Sequence, residues 1–555
     1  MSRRPFSWFA VAGALLAAWL AGCATPPTPA PDVLKVQVLA INDFHGNLQP
    51  PAPFRLQDPQ DPSKTINVPV GGSEALATAV KTLRANKPHH VFVAAGDLIG
   101  ASPLLSALFF DEPTLESLSL MGLHLSAVGN HEFDAGHAEL LRRQRGGCHP
   151  TEGCRGPKPF KGTGFQYLAA STVVEATGDT LLPAYQVRHF DGVPVGFIGL
   201  TLKNTPNLVM PSAATGLRFD DEVESINRWA KVLRSQGVEA IVVLIHEGGY
   251  PRSSSMNGCD GISGPIADMV PRMDKAVDLV VTGHTHRAYN CVIDGRRVTS
   301  GDKYGSMVTD IELRIDRRTR DVVDTSATNV LVRLDTFAKD PEQTELLAGY
   351  IARAKPLMER EIGRLATEVP MVVGNESPMG HLIADAQLAA TRDLGAQVAL
   401  MNNCGIRASL VMANTGGIVR FSDIFTAQPF NNTLITMTLK GQELIDLLAN
   451  QWEAGKTCNG VQVSQGLRYT VDERRPPAER LVPGTVMLNG KPIDPAADIR
   501  VTVNNFMAEG GDGFVILKNG RQRDTGPTDV EALERHIKAH SPISAPAMDR
   551  VVRLR

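Results

Sequence analysis

The sequence predicts an α/β protein of two domains joined by a helix. From Val33 to about residue 335, short apolar runs rich in β-branched residues alternate with amphipathic segments. Asp340-Pro341-Glu342 then sets a helix start, with a capping Asp, Pro at the first helical position and acid in the first turn. From about residue 362 to Arg555 a second α/β pattern follows.

The first residues carry a different signal. Arg3 and Arg4 precede an apolar stretch from Phe6 to Leu20, which is short for a bilayer span and ends in small residues. Leu20-Ala21-Gly22-Cys23 resembles a bacterial lipobox, so residues 1–22 are expected to be a lipoprotein signal peptide and Cys23 the lipidated first residue. Residues 23–32, rich in Pro, Thr and Ala, suit an extended tether. The expected location is the bacterial cell envelope, with Ala24 after Cys23 resembling outer-membrane sorting toward the periplasm.

In residues 33–335 the strand-like runs are Leu34 to Ile41, Val91 to Ala95, Leu125 to Val128, Val195 to Leu200, Ile241 to Ile245 and Leu279 to Val281. Their near-continuous apolar character means cover on both faces. Residues 336–361 read as a linker helix, with Leu346, Leu347, Tyr350, Ile351, Ala354, Leu357 and Met358 at helical spacing and a kink expected at Pro356. In residues 362–555 a helix is expected over Met379 to Leu394 and strands near Val398 to Met401, Leu434 to Leu439 and Ile499 to Val503.

A formal charge of -3 gives no sign of a basic surface for a nucleic-acid polymer, and no segment marks an obligate protein partner. With Cys23 assigned to lipid, six cysteines remain for an oxidising compartment. Proximity suggests Cys148 with Cys154, Cys259 with Cys291 and Cys404 with Cys458, among fifteen connectivities that six cysteines allow.

Five of the strand-like runs end in metal-ligating residue types. Asp43-Phe44-His45 follows the first, Gly96-Asp97 the second, Gly129-Asn130-His131 the third, His246 the fifth and Gly283-His284-Thr285-His286 the last. Singly, each is a turn former, a cap or a surface His. Together, at the carboxyl ends of α/β strands, they can converge on one crevice. Two cations about 3.5–4 Å apart need a carboxylate that bridges them, and Asp97 is the natural bridge. Imidazole, carboxylate and amide ligands suit two divalent ions such as Zn, Mn or Co. His131 beside Asn130 would face the substrate, with Asp134 three residues on to orient and charge it.

These blocks resemble the calcineurin-like metallophosphoesterase superfamily, whose motifs run D-x-H, G-D, G-N-H-[ED], H and G-H-x-H in this order. The resemblance implies a β-sandwich flanked by helices. It also implies that Asp43, His45, Asp97 and His286 hold one metal, and Asp97, Asn130, His246 and His284 the other.

Four further blocks resemble the 5′-nucleotidase carboxyl-terminal domain: Glu376 to Gly380, Asn402 to Arg407, Gln428 to Asn432, and Asn505 to Phe514. By that resemblance Phe430 and Phe506 sandwich a base, Asp512 contacts the ribose hydroxyls, Asn402 contacts the base and Arg407 meets the phosphate side. The chain departs from the family pattern where Asn-Gly-Gly-Gly-Ile-Arg reads Asn402-Asn403-Cys404-Gly405-Ile406-Arg407, and where Gly-Asn reads Gly380-His381.

The expected activity is metal-dependent hydrolysis of extracytoplasmic nucleoside 5′-monophosphates to nucleoside and phosphate. Rivals are a 2′,3′-cyclic-nucleotide phosphodiesterase, a nucleotide-sugar hydrolase, a hydrolase of sulfur compounds, and a nucleotide-capturing surface lipoprotein without catalysis.

Overall fold

The computed structural model describes Met1 and residues 32–554, apart from 59, 62, 253–254, 373–375, 413–415 and 453–459. The signal segment, Cys23, nearly all of the tether and Cys458 lie outside the described residues.

Two six-stranded sheets face each other in the first domain. One has the order Val322–Leu331, Met307–Asp316, Val33–Ile41, His90–Ala94, Leu125–Ala127, Gln166–Leu168, and the other Ala288–Ile293, Arg296–Gly301, Val277–Thr282, Ala240–His246, Val193–Thr201, Tyr185–Phe190. The central pairings are parallel in both, Val33–Ile41 with His90–Ala94 and Ala240–His246 with Val193–Thr201 and Val277–Thr282.

Strand parity explains why both faces are apolar. Leu34, Val36, Val38 and Ala40 point between the sheets to meet Val195, Phe197, Val242, Leu244, Leu279 and Val281, all buried. The alternate residues Leu39 and Ile41 point outward, under the helices Ser73–Arg84 and Glu112–Met121. On the opposite side Ile241, Val243 and Ile245 pack beneath Ile226, Ala230 and Leu233 of Glu222–Ser235. The result is four layers, helix, sheet, sheet, helix, with every inner strand covered twice.

The helix Pro341–Met358 begins where the capping signal places it. Asp340 accepts from the Glu342 and Gln343 amides, both at 3.1 Å, and Lys81 Nζ lies 2.6 Å from Asp340 and from Glu342. Pro356 falls in the last turn, and the helix continues to Met358. Leu347, Tyr350 and Ala354 are buried in the core under the first sheet, and Tyr350 Oη donates to Glu116 at 2.8 Å.

In the second half a five-stranded sheet runs Val461–Val463, Val398–Asn402, Asp498–Asn504, Thr433–Lys440, Arg521–Thr528. One face buries Val398, Leu400, Met437, Leu439, Val501 and Val503. Against the other lie the helices Pro378–Ala390 and Asp529–His540, through Met379, Ile383, Val530, Leu533 and Ile537. The expected helix ends earlier than read, at Ala390, because residues 392–394 turn into a short 3₁₀ segment.

Cys148 is paired with Cys154 and Cys259 with Cys291. Cys404 is disulfide-bonded, and Cys458, the partner suggested for it, lies outside the described residues. Among the described residues no helix is long and apolar enough to cross a membrane.

Candidate metal centre and substrate cleft

The strands deliver their polar ends to one rim of the sandwich. There the chain turns sharply, and Asp43, His45, Asp97, His284 and His286 all have positive φ, between 46° and 68°. Such backbone is costly for residues with a Cβ and persists where the surroundings hold it. Glycine supplies the remaining clearance. A Cβ on Gly96 would lie 2.6 Å from the Gly129 amide nitrogen, and one on Gly283 would lie 3.0 Å from Asp43 Oδ2.

The side chains converge. Ligand atoms of Asp43, His45 and His286 lie within 4.8 Å of one another, as do those of Asp97, His246 and His284. Asp97 stands between the two groups, with Oδ2 3.0 Å from His246 Nε2 and 3.6 Å from His45 Nε2. Its Oδ1 accepts from the His131 amide at 2.9 Å. His45 Nδ1 bonds the Gly100 carbonyl at 2.8 Å and His246 Nδ1 the Ala95 carbonyl at 2.7 Å, so each ring, when neutral, carries its proton on Nδ1 and turns the Nε2 lone pair inward.

This arrangement fits divalent cations. His45 Nε2 and His286 Nε2 face each other at 3.1 Å, and burial holds both rings well below their usual pKa, which leaves both lone pairs available. Burial likewise pushes His284 down to about 4. At His246 burial acts in the same direction, but the Asp97 carboxylate overrides it and holds the ring up at about 10; a divalent ion would take the place of that proton. Asn130 Oδ1 is buried with no hydrogen-bond partner among the described residues, as an atom awaiting a ligand would be.

His131 and Asp134 form a pair at the edge of this cluster, Nδ1 to Oδ2 at 2.7 Å. Burial opposes charge on the imidazole, yet the Asp134 and Asp97 carboxylates outweigh it and raise its pKa.

Glu132 is the group that sequence reasoning passed over. It is fully buried and accepts the amides of Asp97 at 2.9 Å, Leu98 at 2.8 Å and Gly129 at 2.6 Å. One carboxylate therefore ties the turn carrying Asp97 to the turn carrying Asn130. The signal was present, since an acid follows Gly129-Asn130-His131, but nothing in the spacing says that it points inward.

A cavity of about 570 Å³ opens over the cluster and is walled by both halves of the chain. Asp97, Asn130, His131, Asp134, His284 and His286 line one side; Asn402, Arg407, Phe430, Phe506 and Asp512 line the other. Asp43, His45 and His246 sit behind, at zero exposure. Phe430 stacks on His131, with centroids 5.9 Å apart and planes inclined by 22°. Asn402 donates to Asp512 at 2.7 Å and accepts from Asn504 at 3.0 Å. Burial pushes the Asp512 carboxyl up to about 6. Arg407 Nη2 is buried with no partner among the described residues. Lys303 and Arg287, which the sequence did not single out, also line the cavity.

Comparison with known proteins adds to this geometry. A family model described as calcineurin-like phosphoesterase matches residues 36–288, and one described as 5′-nucleotidase, C-terminal domain, matches residues 361–519. The chain is 30% identical over 553 residues to the cell wall protein Lmo0130 of Listeria monocytogenes, covering 93% of this chain and 68% of that protein. It is 32% identical over 509 residues to the endonuclease YhcR of Bacillus subtilis; this match covers 91% of the chain but spans only 40% of that relative's length. The solved 5′-nucleotidase precursor of Thermus thermophilus superposes with a TM-score of 0.77 at 26% identity, over 94% of this chain and 99% of the other.

Two outcomes follow for metal content. Asp97→Ala is expected to lose both metal equivalents together, because a bridging carboxylate belongs to two coordination shells; elemental analysis after dialysis that finds one equivalent retained contradicts the bridge. Glu132→Gln places an amide N–H₂ where backbone N–H groups converge, and is expected to weaken metal affinity about 10–100-fold in a chelator competition. Unchanged affinity would remove Glu132 from the support of the site.

Proposed function

The chain belongs to the calcineurin-like phosphoesterase family in its 5′-nucleotidase form, and from that premise we propose that it hydrolyses nucleoside 5′-monophosphates outside the cytoplasm to nucleoside and phosphate. The observation that carries this reading is the shared cavity, in which a base-stacking and phosphate-facing wall from the second half stands over the cluster of the first.

In this reading Asp43, His45, Asp97 and His286 would hold one divalent ion, and Asp97, Asn130, His246 and His284 the other, with Zn, Mn or Co suited to such ligands. When bound, the pair supplies Lewis-acid stabilisation of phosphoryl charge. Arg407 Nη2, which has no internal partner among the described residues, donates to a phosphate oxygen. Phe430 and Phe506 take the base, and Asp512, oriented by Asn402, accepts from the ribose hydroxyls. A water oxygen joins phosphorus as the P–O5′ bond breaks, while His131, held through Nδ1 by Asp134, steadies the developing charge and gives a proton to the departing O5′; of the two water protons one stays on the phosphate formed and the other replaces the one His131 gave up.

The disulfides Cys148–Cys154 and Cys259–Cys291 support an oxidising compartment. With the lipobox at Cys23 they support an enzyme anchored by lipid to the cell envelope, where it would meet nucleotides that cannot enter the cell. A second reading, hydrolysis of a phosphodiester such as a 2′,3′-cyclic nucleotide, draws support from the relative named an endonuclease. Phosphate release from AMP, 2′,3′-cyclic AMP, UDP-glucose and an aryl phosphate, with defined metals, separates them. AMP turning over no faster than the aryl phosphate would sink the nucleotide reading.

His131→Asn is expected to lower kcat about 10²–10³-fold with metal content intact; an unaltered kcat takes His131 out of the mechanism. Phe506→Ala is expected to cost about 1–3 kcal/mol in kcat/KM for AMP and to spare the aryl phosphate. It is a cleaner probe than Phe430→Ala, because Phe430 also rests on His131. Equal loss on both substrates with a lowered Tm would mark Phe506 as a packing residue instead.

A further inference from the structure

The lining of the cleft is unbalanced in charge. Its carboxylates are committed: Asp97 to His246 at 3.0 Å, Asp134 to His131 at 2.7 Å and Asp512 to Asn402 at 2.7 Å. Of its Arg and Lys residues, Arg407 belongs to the wall that takes the nucleoside, and Arg287 and Lys303 to the wall of the first half. Arg287 is exposed, whereas Lys303 is half-buried and looks onto the cavity. Among the described residues neither side chain pairs with a carboxylate.

Lys303 stands on a turn that is held in place. The residues on either side of it, Asp302 and Tyr304, have φ of 60° and 59°, left-handed backbone that persists only where the surroundings fix it. Here the fixing comes from the ligand-bearing end of the first strand. The Tyr304 amide donates to the Asp43 carbonyl at 2.7 Å, and Asn42 Nδ2 donates to the Asp302 carbonyl at 2.6 Å. Ser306 Oγ donates to the Lys303 carbonyl at 2.7 Å.

The same turn brings the ammonium to the cluster. Lys303 Nζ lies 4.8 Å from the centroid of the Tyr304 ring, and that ring stands edge-on to His45 and to His286, 5.8 Å from each. Burial is the main influence holding the His286 ring well below its usual pKa, and the Lys303 and Arg407 charges come next. The ammonium and the guanidinium therefore reach one imidazole from the two walls of the cleft.

A phosphate ester held between these walls directs one ester oxygen to the nucleoside side. What remains differs with its class. A monoester presents three further oxygens, which share about −1.5 to −2 of charge near neutral pH. A diester presents two, with a single charge, and carries a second ester group in place of the third. That group must lie toward the first-half wall, where Lys303 places a compact, strongly hydrated charge with three donors.

We propose that Lys303 is a specificity-determining residue, which selects phosphomonoester dianions over diesters by donating to the third phosphoryl oxygen, at the position a second ester group would take. The inference rests on the phosphoesterase reading above and adds to it the charge state of the ester.

The test compares an aryl phosphate with a bis-aryl phosphate on the full metal-loaded protein, since neither carries a nucleoside. Calorimetric titration with inorganic phosphate and with dimethyl phosphate gives a readout that needs no turnover. Lys303→Met, which keeps the reach of the side chain and removes its charge, is expected to lower kcat/KM for the monoester and to weaken phosphate binding about 10–100-fold, as for loss of one hydrogen bond to a charged group. Diester hydrolysis and dimethyl phosphate binding should fall far less, with metal content unchanged. Lys303→Arg retains the charge and is expected to retain most of the monoester preference. An equal loss on monoester and diester, no loss on either, loss of a metal equivalent, or an arginine variant as impaired as the methionine one would each overturn the proposal and leave Lys303 a solvated or packing residue of the rim. If the unaltered protein hydrolyses neither AMP nor the aryl monoester, the proposed activity fails instead. The contrast between phosphate and dimethyl phosphate binding then decides the role of Lys303 by itself, and equal binding of the two overturns it.

Discussion

Three backbone amides, those of Asp97, Leu98 and Gly129, converge on the buried Glu132 carboxylate. Everything at the metal centre depends on such ties, because the ligand-bearing residues occupy turns that a free chain would leave. Left-handed backbone at Asp43, His45, Asp97, His284 and His286 must be held by its surroundings. The double cover on the inner strands supplies rigidity below the rim, and Glu132, with Asn42 donating to Asp43 at 2.7 Å, supplies it at the rim itself. The side chains are thereby aimed at one point of the rim, which is the preorganisation that a metal site asks of its protein.

Much of this was legible in the sequence, for a physical reason. Buried parallel strands must be apolar on both faces, so an Asp, Asn or His at the end of such a run stands out against its neighbours and falls at the ligand end of the sheet. The five blocks from Asp43 to His286 announced themselves in that way, and the sheets bring their atoms together. Glu132 did not, because its task is to accept backbone amides, and amides leave no trace in a sequence. The stacking of Phe430 on His131 was equally hidden, since it joins residues from the two halves of the chain. Lys303 and Arg287 went unnoticed for the same reason: a surface cation and a cleft cation look alike until the opposite wall is in place.

The two halves divide the chemistry. The first brings the cluster of metal-ligating residue types to the cleft; the second brings aromatic faces, an amide and a carboxyl. Only in the cleft does one restrict the other. Relatives matched along nearly all of this chain carry names as different as a 5′-nucleotidase precursor and an endonuclease, as expected where function follows the site and not the fold.

The helix Pro341–Met358 marks where the chain can be divided. Leu347, Tyr350 and Ala354 are set into the core beneath the first sheet, and its cap is held by Lys81. A phosphoesterase module cut at the last strand, Val322–Leu331, would bare that core, whereas one ending after Met358 would carry its own lid. For recombination between genes, and for anyone grafting a different second half onto this first one, the natural seam therefore falls after the helix, and the helix travels with the ligand cluster.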